Sequence, residues 1–181
     1  MDCKKDKSVV IDIDGVCADF EKAFCEKYGW NNRHLVSLEE RYILNKIEDF
    51  REFVISPETY ENLEIIDNGK KLANFFHYEG YKVFLISARP ANTHLVTFSW
   101  LKKHKIIFDF MHVGDKLNRI KILQPSFVVD DLLSVCEYVS DELNIPSFLI
   151  DYPWNQQKYL SGNIHRIRDF SEFLRIFSRI Y

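Results

Sequence analysis

Val9-Val10-Ile11-Asp12-Ile13-Asp14-Gly15-Val16 is a short apolar run that ends in two carboxylates, one residue apart, followed by a glycine. A run of this kind suits a strand buried on both faces of a parallel sheet. In an extended segment residues i and i+2 face the same side, so Asp12 and Asp14 converge on one small volume where the strand ends. Gly15 then lets the chain turn away sharply. Two acids at the carboxyl end of a central strand are expensive to desolvate and need a metal, a proton or hydrogen-bond donors in compensation. Asp-x-Asp-Gly is also ordinary turn chemistry, so the reading has to be carried by the rest of the chain.

The totals describe one core. A chain of 181 residues fits a single domain with a modest insertion better than two full domains. A net charge of −3 and 46% hydrophobic content exclude both a strongly basic nucleic-acid surface and an acidic disordered tract, so duplex nucleic acid is not an expected partner. No apolar stretch approaches the length of a membrane helix, and Met1 to Lys7 lacks the apolar segment of a signal peptide, which makes the expected location cytoplasmic. The cysteines Cys3, Cys17, Cys25 and Cys136 show no Cys-x-x-Cys pairing and read as free thiols.

Outward from the opening strand, Phe20, Ala23, Phe24 and Tyr28 have helical spacing, with Gly29 as a stop. Ser37-Leu38-Glu39-Glu40 matches a capping box for a helix through Tyr42, Ile43 and Ile47, and Ser56-Pro57-Glu58 reads as a further helix start. From Gly69 the pattern becomes regular. A helix over 70–79 precedes a strand at Val83-Phe84-Leu85-Ile86-Ser87; a helix near Leu95 to Leu101 leads to a strand around Ile107 to Val113. Then come a helix over 116–123, a strand at Phe127-Val128-Val129, a helix over 132–143, a strand over 147–150 and a terminal helix near 170–180. The tail from His165 to Tyr181 reads as an amphipathic closing helix. This alternation predicts an α/β, Rossmann-like, mostly parallel sheet with helices on both faces. Residues 1–15 and 69–181 make the core, and 16–68 form a small helical cap inserted after the first strand, above the carboxyl ends of the strands where such sheets bind ligands.

Three strands of this scheme deliver polar residues to one edge: Asp12 and Asp14, then Ser87, then Asp130 and Asp131. Buried strands seldom end in paired acids by accident, although Asp130-Asp131 alone would pass for a helix cap. Together the four acids suit a magnesium ion, which takes oxygen ligands and keeps waters that a phosphate oxygen can replace. A phosphate is the expected guest.

The segments Asp12-Ile13-Asp14-Gly15-Val16, Ile86-Ser87-Ala88-Arg89-Pro90, a lysine opening a helix, and Val129-Asp130-Asp131 resemble, in order and spacing, the four motifs of the haloacid-dehalogenase-like phosphatases. Within that superfamily, the helical insertion after the first motif, Tyr60-Glu61-Asn62-Leu63 and Asp151-Tyr152-Pro153-Trp154-Asn155 are similar to the 5'(3')-deoxyribonucleotidase branch. The resemblance implies a Mg2+-dependent phosphomonoesterase acting on nucleoside or deoxynucleoside monophosphates. It implies Asp12 as the nucleophile that forms an aspartyl-phosphate, and Asp14 as the acid that protonates the leaving oxygen and later activates water. Asp12, Asp14, Asp130 and Asp131 would be the metal residues. Ser87 and the turn residues Ala88 and Arg89 would meet the phosphoryl oxygens, with a lysine neutralising charge.

For that lysine, Lys116 follows Asp115, an amino-terminal cap, and sits in the first helical turn at the site end. Lys121 lies more than a turn further on and reads as a solvated face. Arg89 is placed either to clamp phosphate or to pair with an acid. Of the ring-bearing residues Phe20, Phe24, Trp30 and Tyr60, only Phe20 is assigned to the pocket wall, because in a chain that is 15% aromatic most rings close the cap against the core. Asp19 reads as a first-turn acid of its helix. The six histidines show no metal-ligand pairing. A sugar phosphate, a nucleic-acid 3'-phosphate end, and a non-catalytic phosphate sensor remain open as alternative readings. Oligomeric state is not encoded in any of these patterns.

Overall fold

The computed structural model describes residues 7–29, 49–156, 159–160 and 162–180. Its described residues build a sheet of six strands, all parallel: β1 Ser8–Ile11, β2 Lys82–Ser87, β3 Phe110–Val113, β4 Phe127–Asp130, β5 Ser147–Ile150 and β6 Ile164–Ile167, in the order β3-β2-β1-β4-β5-β6. β1 is central, with Ile11 aligned to Leu85 on one side and Val129 on the other. The order reverses between β1 and β4, and parallel sheets bind ligands at such a switch point. The α/β, Rossmann-like reading of the sequence holds.

The two faces of β1 bury separate cores. Val9 and Ile11 face one way, into a large cluster with Leu85, Phe127, Phe148 and the helices α4 Asp67–Tyr78 and α8 Phe170–Ile180. Val10 faces the other way, with Val128, against α6 Lys116–Leu123 and α7 Leu133–Leu143. The large cluster is aromatic: Phe173 lies 5.3 Å from Phe76 and 5.0 Å from Phe148 between ring centroids. Such edge-to-face ring pairs add to what burial of the rings already contributes.

Between β1 and α4 the described elements are helical: α1 Phe20–Tyr28, α2 Phe50–Ile55 and α3 Glu58–Glu61. Asp19 caps α1 by accepting from Lys22 N at 2.9 Å, and Gly29 ends it in the left-handed region at φ 65°. The helix expected from Ser37 to Ile47, together with Trp30 and His34, lies outside the described residues. Gly69 sits where a Cβ would fall 2.0 Å from the Val16 carbonyl oxygen, so the start of α4 can lie against the turn leaving β1. α5 His94–Lys103 carries Trp100, whose indole N–H donates to Leu63 O at 2.8 Å and ties the core to the end of the helical segment. Cys17 and Cys136 are buried free thiols, and the buried Cys25 thiol donates to Glu21 Oε1 at 3.6 Å. Among the described residues no helix is long and apolar enough to cross a membrane.

Three expectations change in detail. Residues 165–167, read as part of a closing helix, belong instead to the edge strand β6: with polar His165 and Arg166 between two isoleucines, the segment lacks the apolar run of a central strand. The third strand begins at Phe110 rather than near Ile107, because Lys105 turns through φ 55° and the Asp109 carboxylate is occupied accepting from Val83 N at 2.7 Å. β1 stops at Ile11, so Asp12 follows the strand and Asp14 lies in a turn where it bridges Ala18.

Candidate active site

The carboxyl ends of β1, β2 and β4 open into one cavity of about 320 Å³, lined by Asp12, Asp14, Gly15, Ser87, Ala88, Arg89, Lys116 and Asp131 together with Phe20, Tyr60 and Trp154. Asp12 is placed by the ladder itself: its N–H donates to Val129 O at 2.9 Å, one residue past the end of β1. Asp130 closes β4, and Asp131 follows it. Oxygens of Asp12, Asp130 and Asp131 lie within 4.8 Å of one another, and all three residues are buried. Gly15 makes this approach possible, since at φ 75° a Cβ would fall 2.4 Å from the Asp131 carboxyl carbon.

Among the described residues one cation serves the cluster. Lys116 Nζ lies 2.8 Å from Asp130 Oδ2 and 3.2 Å from Asp12 Oδ2, with its side chain almost wholly buried. It opens α6, whose amino end Asp115 caps by accepting from Asn118 N at 3.2 Å. Burial pushes the Lys116 ammonium toward its neutral form, but the Asp12 and Asp130 charges outweigh that and hold it above its ordinary range. Asp130 is further fixed by Leu132 N, which donates to its Oδ1 at 3.0 Å. One lysine does not satisfy three carboxylates. Asp12 Oδ1 is buried without a hydrogen-bond partner among the described residues. Burial, against the opposing pull of Lys116 and with the neighbouring Asp130 and Asp14 charges, raises the Asp12 carboxyl to about 7. Burial and the Asp130 and Asp12 charges likewise hold Asp131 well above the usual carboxylate range. An orphaned carboxylate oxygen in a buried, surplus-acid cluster fits a hard divalent cation, which takes oxygen ligands and supplies the missing charge.

Asp14 belongs to a second arrangement in the same cavity. Its carboxylate accepts from Arg89 Nε at 2.7 Å and Nη2 at 2.6 Å, and from Ser87 Oγ at 3.2 Å, rather than joining the three clustered acids. The third guanidinium nitrogen, Nη1, donates to Thr97 Oγ1 at 2.9 Å, and Tyr60 lies over the guanidinium at 4.4 Å. Of the two roles open to Arg89 in the sequence, the geometry displays the pairing with an acid. Burial disfavours its charge, yet Asp14 overcomes this and holds Arg89 above its ordinary range. Ser87 ends β2, and its hydroxyl also accepts from Arg89 N at 3.2 Å.

The apolar wall includes Phe20, stacked on Tyr60 at 5.7 Å between centroids. Tyr60 also donates from its hydroxyl to Val54 O at 2.7 Å. Sequence reasoning assigned Tyr60 to packing; it does pack, and it lines the cavity as well. Trp154, stacked on Tyr152 at 4.1 Å, is a wall residue that periodicity alone did not single out, because it sits in a 3-10 turn of three residues, too short to show a period; its only signal was the Asp151–Asn155 segment. Lys121 is not among the cavity residues, and Thr97 had no sequence signal at all.

No protein-family model matches this sequence, and no curated protein does so at a significant level. Solved structures do. The chain is similar to a chain of the Pnkp1/Rnl/Hen1 complex, at 18% identity and TM-score 0.57 over 83% of this chain and 48% of that one. It is similar to a HAD-superfamily hydrolase from Ehrlichia chaffeensis, at 12% identity and TM-score 0.53 over 98% of each chain. It is also similar to D,D-heptose 1.7-bisphosphate phosphatase from B. bronchiseptica complexed with magnesium and phosphate, at 11% identity and TM-score 0.56 over 97% of this chain and 99% of that one. The chain spans about half the length of the Pnkp1 complex chain it matches. At these identities the likeness is one of fold alone.

Proposed function

We propose that this protein is a Mg2+-dependent phosphomonoesterase that works through an aspartyl-phosphate on Asp12 and hydrolyses nucleoside or deoxynucleoside monophosphates. The observation that carries the reading is the buried, unpartnered Asp12 Oδ1 beside Lys116 and two further acids, on the wall of a cavity at the sheet's switch point. A buried carboxylate left without a donor is costly, and a site that keeps one has a use for its lone pairs. The fold likeness to hydrolases, one of them a phosphatase holding magnesium and phosphate, supports the same class.

Asp12, Asp130 and Asp131 would hold the ion, with Asp14 at the same edge. When bound, the ion neutralises the charge of an incoming phosphate and orients it. The chain's own groups do the rest. An Asp12 oxygen attacks phosphorus as the bond from phosphorus to the leaving oxygen breaks, and Asp14 delivers a proton to that oxygen. In the second half-reaction Asp14, held by Ser87 and Arg89, takes a proton from a water that attacks the same phosphorus. The Asp12 carboxylate and inorganic phosphate are released. Lys116 balances charge on Asp12 throughout, and Ser87 with the Ala88 and Arg89 backbone meets the phosphoryl oxygens.

Residues 16–68 act as a cap on the core formed by 1–15 and 69–181, and their rings Phe20 and Tyr60, with Trp154 from the core, offer apolar faces to a base. The likeness to a chain of the Pnkp1/Rnl/Hen1 RNA repair complex keeps nucleic acid in view, and with it the 3'-phosphate end that the sequence leaves open as an alternative substrate. A panel of nucleoside 5'- and 3'-monophosphates, sugar phosphates and a 3'-phosphorylated oligonucleotide, assayed with Mg2+, separates these guests. Preference for nucleoside monophosphates is expected. Flat, weak activity on every nucleotide would sink the nucleotide assignment, and activity that survives Asp12→Asn would sink the mechanism.

A further inference from the structure

One buried polar side chain outside the reacting groups ties two walls of the cavity together. Asn155, 1% exposed, ends the short 3-10 turn Pro153–Asn155. Its Nδ2 donates to the backbone carbonyl of Asp131 at 2.8 Å and to that of Ile150 at 2.7 Å. Its Oδ1 accepts from Tyr152 N at 3.2 Å and from Arg166 Nη1. An amide side chain has two N–H donors and two acceptor lone pairs, and here all four are used. Arg166, on β6, fixes which end is the oxygen; it also donates to the Asp151 carboxylate at 3.1 Å and to the Asn155 carbonyl.

These bonds join the exits of β4, β5 and β6 at one point. Two cavity residues depend on it: Trp154, one residue before Asn155, and Asp131, whose backbone Asn155 holds. Asp131 has no slack on its other side, where Gly15 approaches so closely that even a methyl group would not fit. Its carboxylate is therefore placed by two backbone constraints, one from the β1 turn and one from the Asn155 amide.

We propose that Asn155 is a positioning residue that sets the Asp131 carboxylate in the cation-binding cluster and the Trp154 wall together, so that metal affinity and the fit of the leaving group share one anchor. The inference rests on reading Asp12, Asp130 and Asp131 as a divalent-cation site. A carboxylate oxygen displaced by a fraction of an ångström leaves a small, rigid coordination shell incomplete, and hydrogen-bond partners behind metal ligands are commonly worth about 10- to 100-fold in affinity. Asn155→Asp would turn two donors into acceptors facing two carbonyls, a harsher change than Asn155→Ala.

Calorimetric titration of the metal-free full chain with Mg2+, paired with thermal melts, tests this. Asn155→Ala is expected to weaken Mg2+ binding about tenfold or more, and Asn155→Asp at least as much. Trp154→Ala is expected to raise KM with Mg2+ affinity within about twofold of the parent, since an indole wall carries no metal ligand. If Asn155→Ala fails to fold, Arg166→Met, which frees the amide without deleting it, is expected to weaken Mg2+ binding in the same direction by less. Unchanged Mg2+ affinity in a folded Asn155→Ala or Arg166→Met protein, even with a lowered melting temperature, overturns the proposal. Absence of Mg2+ binding by the unaltered chain overturns the cation site itself, and this inference with it.

Discussion

Two regions of one sheet bury their side chains to the same degree and to opposite effect. On the face covered by α4 and α8, Phe76, Phe148 and Phe173 are fully buried against one another and have no polar atom in the side chain to satisfy. At the carboxyl edge, Asp12, Asp130, Asp131, Lys116 and Arg89 are also buried, and each is an ionisable group taken from water. Burial stabilises the first region in proportion to the area removed from water. It works against the second unless every polar atom finds a partner, and Asp12 Oδ1 has none among the described residues. The aromatic face holds the fold, and the edge uses part of the stability so gained to keep reactive groups in place.

The comparison breaks most visibly at Lys116. Lys116→Met leaves Asp12 and Asp130 without their shared cation, and removing one partner of a buried pair costs about 3–5 kcal/mol. Loss of its charge from the phosphate site should also lower kcat by roughly 10²–10³-fold. Melts in EDTA and in Mg2+ separate the two effects: the stability loss is expected to be largest without metal and partly recovered with it. A loss that Mg2+ leaves untouched would mean the lysine and the ion do not share the same acids.

Phe173→Ala tests the other side. Deleting a fully buried ring costs about 3–5 kcal/mol through lost transfer energy and the cavity left behind. Here Mg2+ should add no more stability than it adds to the parent, and kcat per folded molecule should stay within about twofold. A catalytic loss beyond the fraction unfolded would show that the aromatic face and the edge are mechanically coupled.

The two regions were not equally legible in the sequence. The aromatic face was, because apolar periodicity is a local signal: the helix over 70–79, and Phe127-Val128-Val129 as a strand, follow from spacing alone. At the edge, the acids, Ser87 and Lys116 were legible because each sits where a strand ends or a helix begins, at positions the alternation places. Asp14 was legible as an acid but not as the partner of Arg89: the two are 75 residues apart and meet only through the pairing of β1 with β2. Thr97, Tyr60, Trp154 and Asn155 carry no periodic signal for their place at the site, since helix faces and loops reach it by tertiary packing. The edge strand β6 escaped for a related reason: half polar and at the margin of the sheet, it lacks the apolar run that marks a central strand.

The smallest expected effect sharpens the comparison through pH. Burial holds the folded Asp12 carboxyl at about 7, above its ordinary 3.8, and Asp131 is raised as well. A carboxyl raised in the folded state contributes stability that is fully present below the ordinary value and is lost as pH rises through the folded one. The metal-free protein should therefore lose melting temperature between about pH 4 and pH 8, by a few degrees for each kcal/mol involved. Mg2+ reverses the trend, because the ion binds the deprotonated acids and its stabilisation grows with pH. Asp12→Asn removes the Asp12 share of both slopes at once: the metal-free melt should vary less with pH and, near pH 8, lie at or above that of the parent, while the gain from Mg2+ shrinks. Phe173→Ala, by contrast, should lower the melting temperature at every pH and leave both slopes parallel to the parent's. If Asp12→Asn proved less stable than the parent in EDTA at pH 8, the ionised Asp12 would be a stabilising group, and the opposition between the two regions would fail at the residue on which it most depends.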